Sequence, residues 1–296
     1  MDLVIDGFDY HRIPVNGASL RVAVCGSGSP LLLLHGFPQH HLAWRHVAPA
    51  LADRHTVVCA DLRGYGASRV AVGADHSKRA MAADAVGLMA ALGHERFAVA
   101  GHDRGALVAF RLGLDHPTAV THVATVGVIP GVDMWDALHG VAGVFAWHLA
   151  FLAQPGELPQ RLIAADPDTF FGHFLDQWSE SPQTISDDVR RAYLAALGTA
   201  DGIRGVCEDY RAGAFVDPDH DAADRTAGRR LAMPVLAVWE DPGDVELPFD
   251  PAAVWRSWAD DLRTLVLPGG HFLPEAQPSE LAAAIGELLR RAPASS

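Results

Sequence analysis

The sequence of 296 residues predicts an α/β fold, with a mostly parallel central sheet flanked by helices and an inserted helical cap. Up to residue 128, short apolar runs that suit buried strands alternate with helical patterns. This alternation indicates parallel strands joined by right-handed crossovers. From about residue 130 to residue 229 the alternation stops and helical segments follow one another, before strand patterns resume at residue 234.

The first half of the chain contains the clearest strand patterns. Residues 10–25 alternate loosely around Asn16-Gly17, a pair that favours a tight hairpin turn. Leu31 to Leu34 is a continuous apolar run, as expected of a central strand covered on both faces. The other elements predicted here are strands over 55–60, 97–100 and 120–128 and helices over 41–51, 78–92 and 106–114.

The last part of the chain returns to strand–helix alternation. Strands are predicted over 234–239 and 263–267, and helices over 251–260 and 278–291. We therefore predict a core domain formed by residues 1–129 and 230–296. Turn sequences break up the helical stretch between them, and we interpret residues 130–229 as a cap inserted into the sheet domain.

Composition excludes several classes of partner and cofactor. The formal net charge is −13 and no basic cluster occurs, which argues against nucleic acid and against an anionic membrane surface. Cys25, Cys59 and Cys207 are odd in number and far apart, so they form neither a metal-binding spacing nor a disulfide framework. We expect a small-molecule substrate, no metal and no cofactor.

The same features predict a cellular location. Unpaired cysteines fit a reducing compartment. The first six residues lack a basic region followed by an apolar run, which is the pattern of a signal peptide, and no apolar stretch is long enough to span a bilayer. We therefore expect a soluble cytoplasmic protein.

The sequence Gly101-His-Asp103-Arg-Gly105 follows a predicted strand and precedes a predicted helix. Strand, tight turn and helix are the setting of a nucleophile elbow, whose central residue is usually Ser and here is Asp103. A carboxylate that attacks carbon forms an alkyl ester, which water then hydrolyses. This chemistry suits a carbon–halogen bond or an epoxide. The alternative is an Asp that only caps the following helix.

A carboxylate nucleophile needs a base, oxyanion donors and an orienting acid. His271 follows the last predicted strand, which places it at the carboxyl edge of the sheet as the base. The backbone N–H groups of Arg104 and Phe37 are the candidate oxyanion donors, although the Phe37 loop also suits a simple tight turn. For the acid, the loop after Trp239 offers Asp244 as first choice and Asp241 as second. Either of them also suits a turn-forming role.

Six sequence motifs together resemble the haloacetate (fluoroacetate) dehalogenases of the α/β-hydrolase superfamily. The resemblance covers nearly the whole chain and includes the cap, which makes it more specific than the general hydrolase pattern. The motifs are His35-Gly-Phe-Pro-Gln39, Asp61-Leu-Arg-Gly-Tyr-Gly66, Gly101-His-Asp-Arg-Gly105, His148 with Phe151-Leu-Ala-Gln-Pro155, Cys207-Glu-Asp-Tyr-Arg-Ala-Gly213 and Gly270-His-Phe-Leu-Pro274.

The resemblance implies roles for individual residues. It implies Asp103 as nucleophile, His271 as base, Arg104 as the group that grips a substrate carboxylate, and His148 with Tyr210 as the holders of the leaving halide. The implied reaction is hydrolytic dehalogenation of a short 2-haloacid through an Asp ester. The resemblance also implies a homodimer.

Three positions depart from that family. Its second carboxylate-binding Arg falls at Leu107, its halide-binding Trp at Leu149, and its triad Asp at Gly127. We therefore expect weaker binding of fluoroacetate and better turnover of chloro- or bromo-acids that carry an apolar substituent. Arg161 or Arg211 in the cap remain alternatives that could restore the second carboxylate contact.

Other functions share parts of this pattern. An epoxide hydrolase uses the same Asp nucleophile with two acid donors in the cap, usually tyrosines. Tyr210 fits one of these donors, whereas His148 occupies the position of the second donor. A haloalkane dehalogenase would carry a Trp where Arg104 follows the nucleophile. A binding protein on the same fold is a further alternative, which the presence of both Asp103 and His271 opposes.

Overall fold

A nine-stranded sheet lies at the centre of the computed structural model, which describes residues 3–244 and 246–292. Six of its strands run in parallel from β3 onwards, as the alternating pattern predicts. The strands are β1 Asp9–Val15, β2 Ala18–Cys25, β3 Ser29–Leu34, β4 His55–Ala60, β5 Arg69–Val70, β6 Phe97–His102, β7 Val120–Val126, β8 Val235–Glu240 and β9 Leu262–Leu267.

The strand order is β1-β2-β4-β3-β6-β7-β8-β9, with the short β5 paired to β2. The predicted hairpin is confirmed: β1 and β2 are antiparallel with Val15 opposite Ala18, and Asn16 adopts a φ of 45° in the turn. The central strand β3 is buried from Leu31 to Leu34 because helices cover both faces of the sheet.

Helices occupy both the sheet domain and the stretch between β7 and β8. The predicted helix over 41–51 is instead a 3₁₀ turn, His41–Trp44, followed by a separate short helix whose first turn contains Pro49. The break follows from the ring of proline, which cannot continue a preceding helix. In the first half lie α1 Ala48–Ala52, α2 Lys78–Ala91 and α3 Arg104–Asp115, and after β8 lie α12 Pro251–Trp258, α13 Leu273–Ala276 and α14 Pro278–Leu289.

Eight consecutive helices separate β7 from β8, and we call residues 131–226 the helical insertion. Since β7 and β8 pair directly and in parallel, with Val126 opposite Val238, the chain leaves the sheet at its carboxyl edge and re-enters it at its amino edge. The helices are α4 Gly131–Ala137, α5 Gly140–Phe145, α6 Trp147–Leu152, α7 Leu158–Ala165, α8 Pro167–Gln177, α9 Asp187–Leu197, α10 Ala200–Phe215 and α11 Asp217–Thr226.

Some expectations stay predictions at this point. The division into a core domain and a cap domain, the homodimer and the cytoplasmic location all belong to this group. None of the helices in the described part of the chain has the length and hydropathy needed to cross a bilayer. Met1 and Asp2, on which the signal-peptide interpretation partly rests, lie outside the described residues.

Candidate active site

The turn between β6 and α3 has the geometry of a nucleophile elbow. Asp103 adopts φ 50° and ψ −117°, which a residue other than Gly rarely does and which marks functional sites when it occurs. The turn is so tight that a Cβ atom at Gly101 would lie 2.1 Å from the Gly105 carbonyl oxygen. The side chain of Asp103 makes no capping hydrogen bond with α3. The interpretation of Asp103 as a helix cap is therefore wrong.

The two carboxylate oxygens of Asp103 have different surroundings. Oδ1 accepts a hydrogen bond of 2.7 Å from the backbone N–H of Phe37, in the loop after β3. Oδ2 lies 3.8 Å from Nε2 of His271, in the loop after β9. The structure thus brings together the predicted nucleophile, the predicted base and one of the two predicted oxyanion donors. The Arg104 N–H stays a prediction as the second donor.

Glu240, the last residue of β8, is the carboxylate beside Nδ1 of His271, with 3.6 Å between Oε1 and Nδ1. Asp241 and Asp244 are both exposed, and neither forms an ion pair with His271 among the described residues. Asp241 instead accepts a hydrogen bond from the Gly243 N–H within its own turn. The structure therefore corrects the choice of Asp244 and Asp241: Glu240 faces the imidazole.

The charges around His271 shift its pKa. Burial alone would lower the pKa of His271, but the Glu240 and Asp103 carboxylates outweigh burial and raise the pKa above its ordinary value of 6.5. For Glu240, burial opposes ionisation, and the imidazole nevertheless holds the pKa below its ordinary value. The pair is thus arranged to favour a charged carboxylate and a readily protonated imidazole.

His148 of α6 and Tyr210 of α10 face the nucleophile from the helical insertion, with ring centres 6.0 Å apart. Burial lowers the pKa of His148 to about 4, so the ring is neutral near pH 7. Burial and the Asp103 charge raise the pKa of Tyr210 well above its ordinary value, so its hydroxyl keeps its proton. Both side chains can therefore donate a hydrogen bond to a leaving group.

Arg104 is not free to grip a carboxylate in the way the resemblance implies. Its Nε and Nη2 atoms donate to both carboxylate oxygens of Asp209, at 2.8 and 3.0 Å. Arg211, a proposed substitute, instead donates to Glu208 and to the backbone carbonyl of Gln154. Arg104 is the sole Arg or Lys among the described residues that line the cavity over Asp103.

This cavity is large and mainly apolar. Its volume is about 610 Å³, within the size range of pockets that hold drug-sized ligands. Leu107 and Leu149, two of the departures from the resembled family, lie in its wall. Most of the remaining wall comes from α4, α5 and the loop before α12, with Met134, Leu138, Val141, Phe145, Leu247 and Phe249.

Comparisons with known proteins agree with this geometry. The family model for the alpha/beta hydrolase fold matches residues 29–275. The chain belongs to the α/β-hydrolase fold family. A fluoroacetate dehalogenase from Burkholderia sp is 39% identical over 97% of this chain and 95% of its own length. The soluble epoxide hydrolase of Corynebacterium sp. (strain C12) is 32% identical over 91% and 93% of the two chains.

A solved structure shows the same relationship. A Pseudomonas aeruginosa protein, described as a candidate epoxide hydrolase, superimposes with a TM-score of 0.93 and 44% sequence identity. The match covers 98% of this α/β-hydrolase and 97% of that chain. The resemblance to dehalogenases found in the motifs is confirmed, and epoxide hydrolases stand close as well.

Gly127 offers no carboxylate to His271, and the acid that faces the imidazole in this α/β-hydrolase lies on another strand. It follows β7 with a φ of +79°, and a Cβ atom there would lie 3.3 Å from Cε1 of His271. Any side chain at this position would be strained and would press on the imidazole. Glu240 ends the neighbouring strand β8 and reaches the ring from that side.

The sequence patterns do not predict two of the functional candidates. Glu240 directly follows the strand predicted over 234–239 and precedes the loop that contains Asp241 and Asp244. Its place at the carboxyl edge of a strand was a usable signal. Asp209 precedes Tyr210 within a recognised motif, but only the fold shows that it pairs with Arg104.

Proposed function

We propose that this α/β-hydrolase opens epoxides of apolar compounds through an ester of Asp103. The observation that carries the proposal is the charge of the cavity. Arg104 is hydrogen-bonded to Asp209, while Asp103 and Glu240 bring negative charge to the same space. A substrate carboxylate would have to leave water without gaining a free cation, which is costly in a buried site. An uncharged substrate avoids this cost.

In the first step, Oδ2 of Asp103 attacks an epoxide carbon and the carbon–oxygen bond of the ring breaks. The electron pair goes to the ring oxygen, which takes the hydroxyl proton of Tyr210 while His148 donates a hydrogen bond. The high pKa of Tyr210 suits this task, because the phenol stays protonated until strong negative charge develops beside it.

In the second step, water attacks the Cγ atom of the ester and gives its proton to Nε2 of His271. The developing oxyanion is Oδ1, which already accepts the Phe37 N–H at 2.7 Å. Collapse of the intermediate breaks the bond between Cγ and the alkyl oxygen, which takes the second water proton from the new Cγ hydroxyl, so a diol leaves and Asp103 is again a carboxylate. The proton on His271 returns to the tyrosinate of Tyr210 through solvent or product, which closes the cycle.

Hydrolysis of 2-haloacids is the second candidate function. The 39% identity to a fluoroacetate dehalogenase and the position of Arg104 in the cavity wall favour it. The size and apolar wall of the cavity favour a haloacid with an apolar substituent over fluoroacetate. A halide would then take the place of the epoxide oxygen between His148 and Tyr210.

Intact-mass analysis of the His271→Ala variant distinguishes the two functions. Without its base the variant should form the ester and fail to hydrolyse it. An epoxide adds its whole mass to the protein, whereas a haloacid adds its mass less that of the hydrogen halide. We expect the mass of the intact epoxide with 1,2-epoxyhexane and little adduct with fluoroacetate or 2-bromopropionate.

Peptide mapping and a control variant locate the adduct. It should fall on Asp103 and be absent from the double variant Asp103→Asn, His271→Ala. Adducts from the haloacids alone would make dehalogenation the function. Turnover of epoxide by His271→Ala with no adduct at any time would refute the ester mechanism.

A further inference from the structure

A buried cluster of charges lies directly beneath Tyr210. Its centre is Asp209, which is fully buried and accepts hydrogen bonds from Arg104, from Lys78 and, at 2.7 Å, from the Tyr65 hydroxyl. Arg104 begins α3, Lys78 begins α2, and Asp209 belongs to α10 of the helical insertion. The cluster therefore ties the helix that carries Tyr210 to the helix that follows the nucleophile.

The same ion pair also determines where the Tyr210 ring lies. The guanidinium carbon of Arg104 stacks over this ring, 4.3 Å from its centre. Arg104 also runs against Gly213 of the same helix α10, where a Cβ atom would lie 2.7 Å from Nη2. Two hydrogen bonds to Asp209 orient the guanidinium while its carbon lies over the aromatic ring, an arrangement that an ammonium group cannot reproduce.

We propose that Asp209 and Arg104 are positioning residues that hold the Tyr210 hydroxyl where the leaving oxygen departs. This inference rests on the proposed function, in which Tyr210 protonates that oxygen. It gives Arg104 a task other than binding a substrate carboxylate. Asp209 bridges Arg104 and Lys78, and Lys78 also lies 3.6 Å from Asp217, so each cation has a buried carboxylate beside it without help from the substrate.

The proposal predicts that the effect of a displaced Tyr210 on the rate of ester formation depends on the leaving group. An epoxide oxygen must be protonated as its bond breaks, whereas bromide leaves with little help from a donor. A displaced Tyr210 should therefore slow ester formation from 1,2-epoxyhexane much more than ester formation from 1-bromohexane. These two probes share an apolar six-carbon chain and differ in the leaving group.

The test measures both rates of Asp103 alkylation by intact mass, in a His271→Ala background. Tyr210→Phe removes the hydroxyl and therefore shows how much more the epoxide reaction slows than the bromide reaction when the proton donor is absent. We expect Asp209→Asn and Arg104→Lys to slow the epoxide reaction at least tenfold more than the bromide reaction. Arg104→Lys keeps the positive charge beside Asp209 and removes the planar group over the Tyr210 ring. It therefore still tests the positioning of Tyr210 if Asp209→Asn fails to fold.

Lys78→Met is the matched control. Lys78 is a buried partner of the same Asp209 carboxylate, but Tyr210 is held by Arg104 and not by Lys78. This variant should change both alkylation rates by the same factor, even where it lowers the melting temperature as much as the other variants do.

The outcomes separate this inference from the proposed function. If Tyr210→Phe is selective and neither Asp209→Asn nor Arg104→Lys is, the cluster is merely structural and the inference is overturned. If Lys78→Met shows the same selective loss, positioning by Arg104 is overturned as well. If Tyr210→Phe slows both probes equally, Tyr210 is not the proton donor and the proposed function fails at that step.

Discussion

The contact between His271 and Glu240 shows how single residues shape the site. Nδ1 of His271 faces the Glu240 carboxylate, while Nε2 faces Asp103 at 3.8 Å and has no hydrogen-bond partner among the described residues. A carboxylate in this place holds the imidazole in the tautomer whose Nε2 can accept a proton. The arrangement therefore suits a base that acts on water next to the Asp103 ester.

We expect Glu240→Gln to slow hydrolysis of the ester roughly 10²-fold to 10⁴-fold. Without the Glu240 charge, burial of the imidazole dominates, so the pKa of His271 should fall. Since the base must be neutral to act, the acid limb of the rate should move to lower pH. Single-turnover hydrolysis of the preformed ester, measured from pH 5 to pH 9, checks both changes.

Asp241→Asn and Asp244→Asn serve as controls because both residues are exposed and neither forms an ion pair with His271 among the described residues. Each should keep the wild-type rate within about twofold, the size of effect common for exposed substitutions. A loss with Asp244→Asn that matches the loss with Glu240→Gln would restore Asp244 as the acid.

At the scale of elements, α3 supplies both a cation and an apolar side chain to the wall of the cavity. Arg104 and Leu107 lie three residues apart, so they share one face of this helix, and both line the cavity. Arg104 is occupied by Asp209, and Leu107 presents an apolar surface. We therefore expect the charge of this helix face to distinguish an epoxide site from a haloacid site.

Leu107→Arg should convert this face into a carboxylate site. A new, uncompensated guanidinium in the cavity should lower the Michaelis constant for chloroacetate at least tenfold, as a charge-assisted hydrogen bond contributes about 1.5–3 kcal/mol. Steady-state halide release measures the change, and Leu107→Met is the neutral control of similar volume. An unchanged Michaelis constant in Leu107→Arg would mean that a missing cation does not limit haloacid binding.

The ends of β7 and β8 supply a second prediction at this scale. Gly127→Ala adds a Cβ atom against His271 at a φ of +79°. The left-handed backbone should cost about 1–2 kcal/mol of stability, and the displaced imidazole should lower ester hydrolysis further.

Gly73→Ala separates these two effects. Gly73 has a φ of +78° and nothing within 4 Å of a new Cβ atom. Gly73→Ala therefore introduces the same backbone strain as Gly127→Ala but no contact with His271. Chemical denaturation and single-turnover rates should show a similar loss of stability in both variants and a loss of rate in Gly127→Ala alone. An equal rate in the two variants would argue against a close packing of Gly127 on the catalytic ring.

At the scale of the whole molecule, a buried polar cluster joins the helical insertion to the sheet. Glu275 on α13 accepts hydrogen bonds from the Tyr193 hydroxyl at 2.7 Å and from Gln39 at 3.0 Å, and it pairs with Arg45. Tyr193 belongs to α9, whereas the other three residues belong to the sheet domain. Burial outweighs Arg45 and raises the pKa of Glu275 to about 7.

This cluster should make stability depend on pH. A carboxyl group whose pKa is higher in the folded state than in the unfolded state stabilises the fold below its ordinary pKa of 4.5. That contribution is lost as the pH rises towards 7, at about 1.4 kcal/mol per unit of pKa shift. Glu275→Gln has no such group, so its stability relative to the wild type should increase between pH 5 and pH 7.5.

Urea unfolding of both proteins at several pH values measures this difference. Glu280→Gln is the control, because Glu280 is an exposed acid of α14. Its stability relative to the wild type should not change with pH. A constant difference between Glu275→Gln and the wild type across this range would show that Glu275 is ionised throughout.

The sequence by itself determined the features that depend on local chemistry. The apolar run Leu31 to Leu34, the Asn16-Gly17 turn and the elbow at Asp103 each follow from neighbouring residues, and the structure contains all three. The position of His271 near the nucleophile was also predictable, because parallel strands end at the same edge of a sheet.

Only the tertiary structure decided which charges meet. Arg104 and Asp209 are 105 residues apart, and their pairing occupies the guanidinium that the resemblance assigns to a substrate carboxylate. Glu240, not Asp244, faces His271 because β8 continues one residue beyond the predicted end. The energy of a charge depends on burial and on its neighbours in space, and a linear sequence records neither of them.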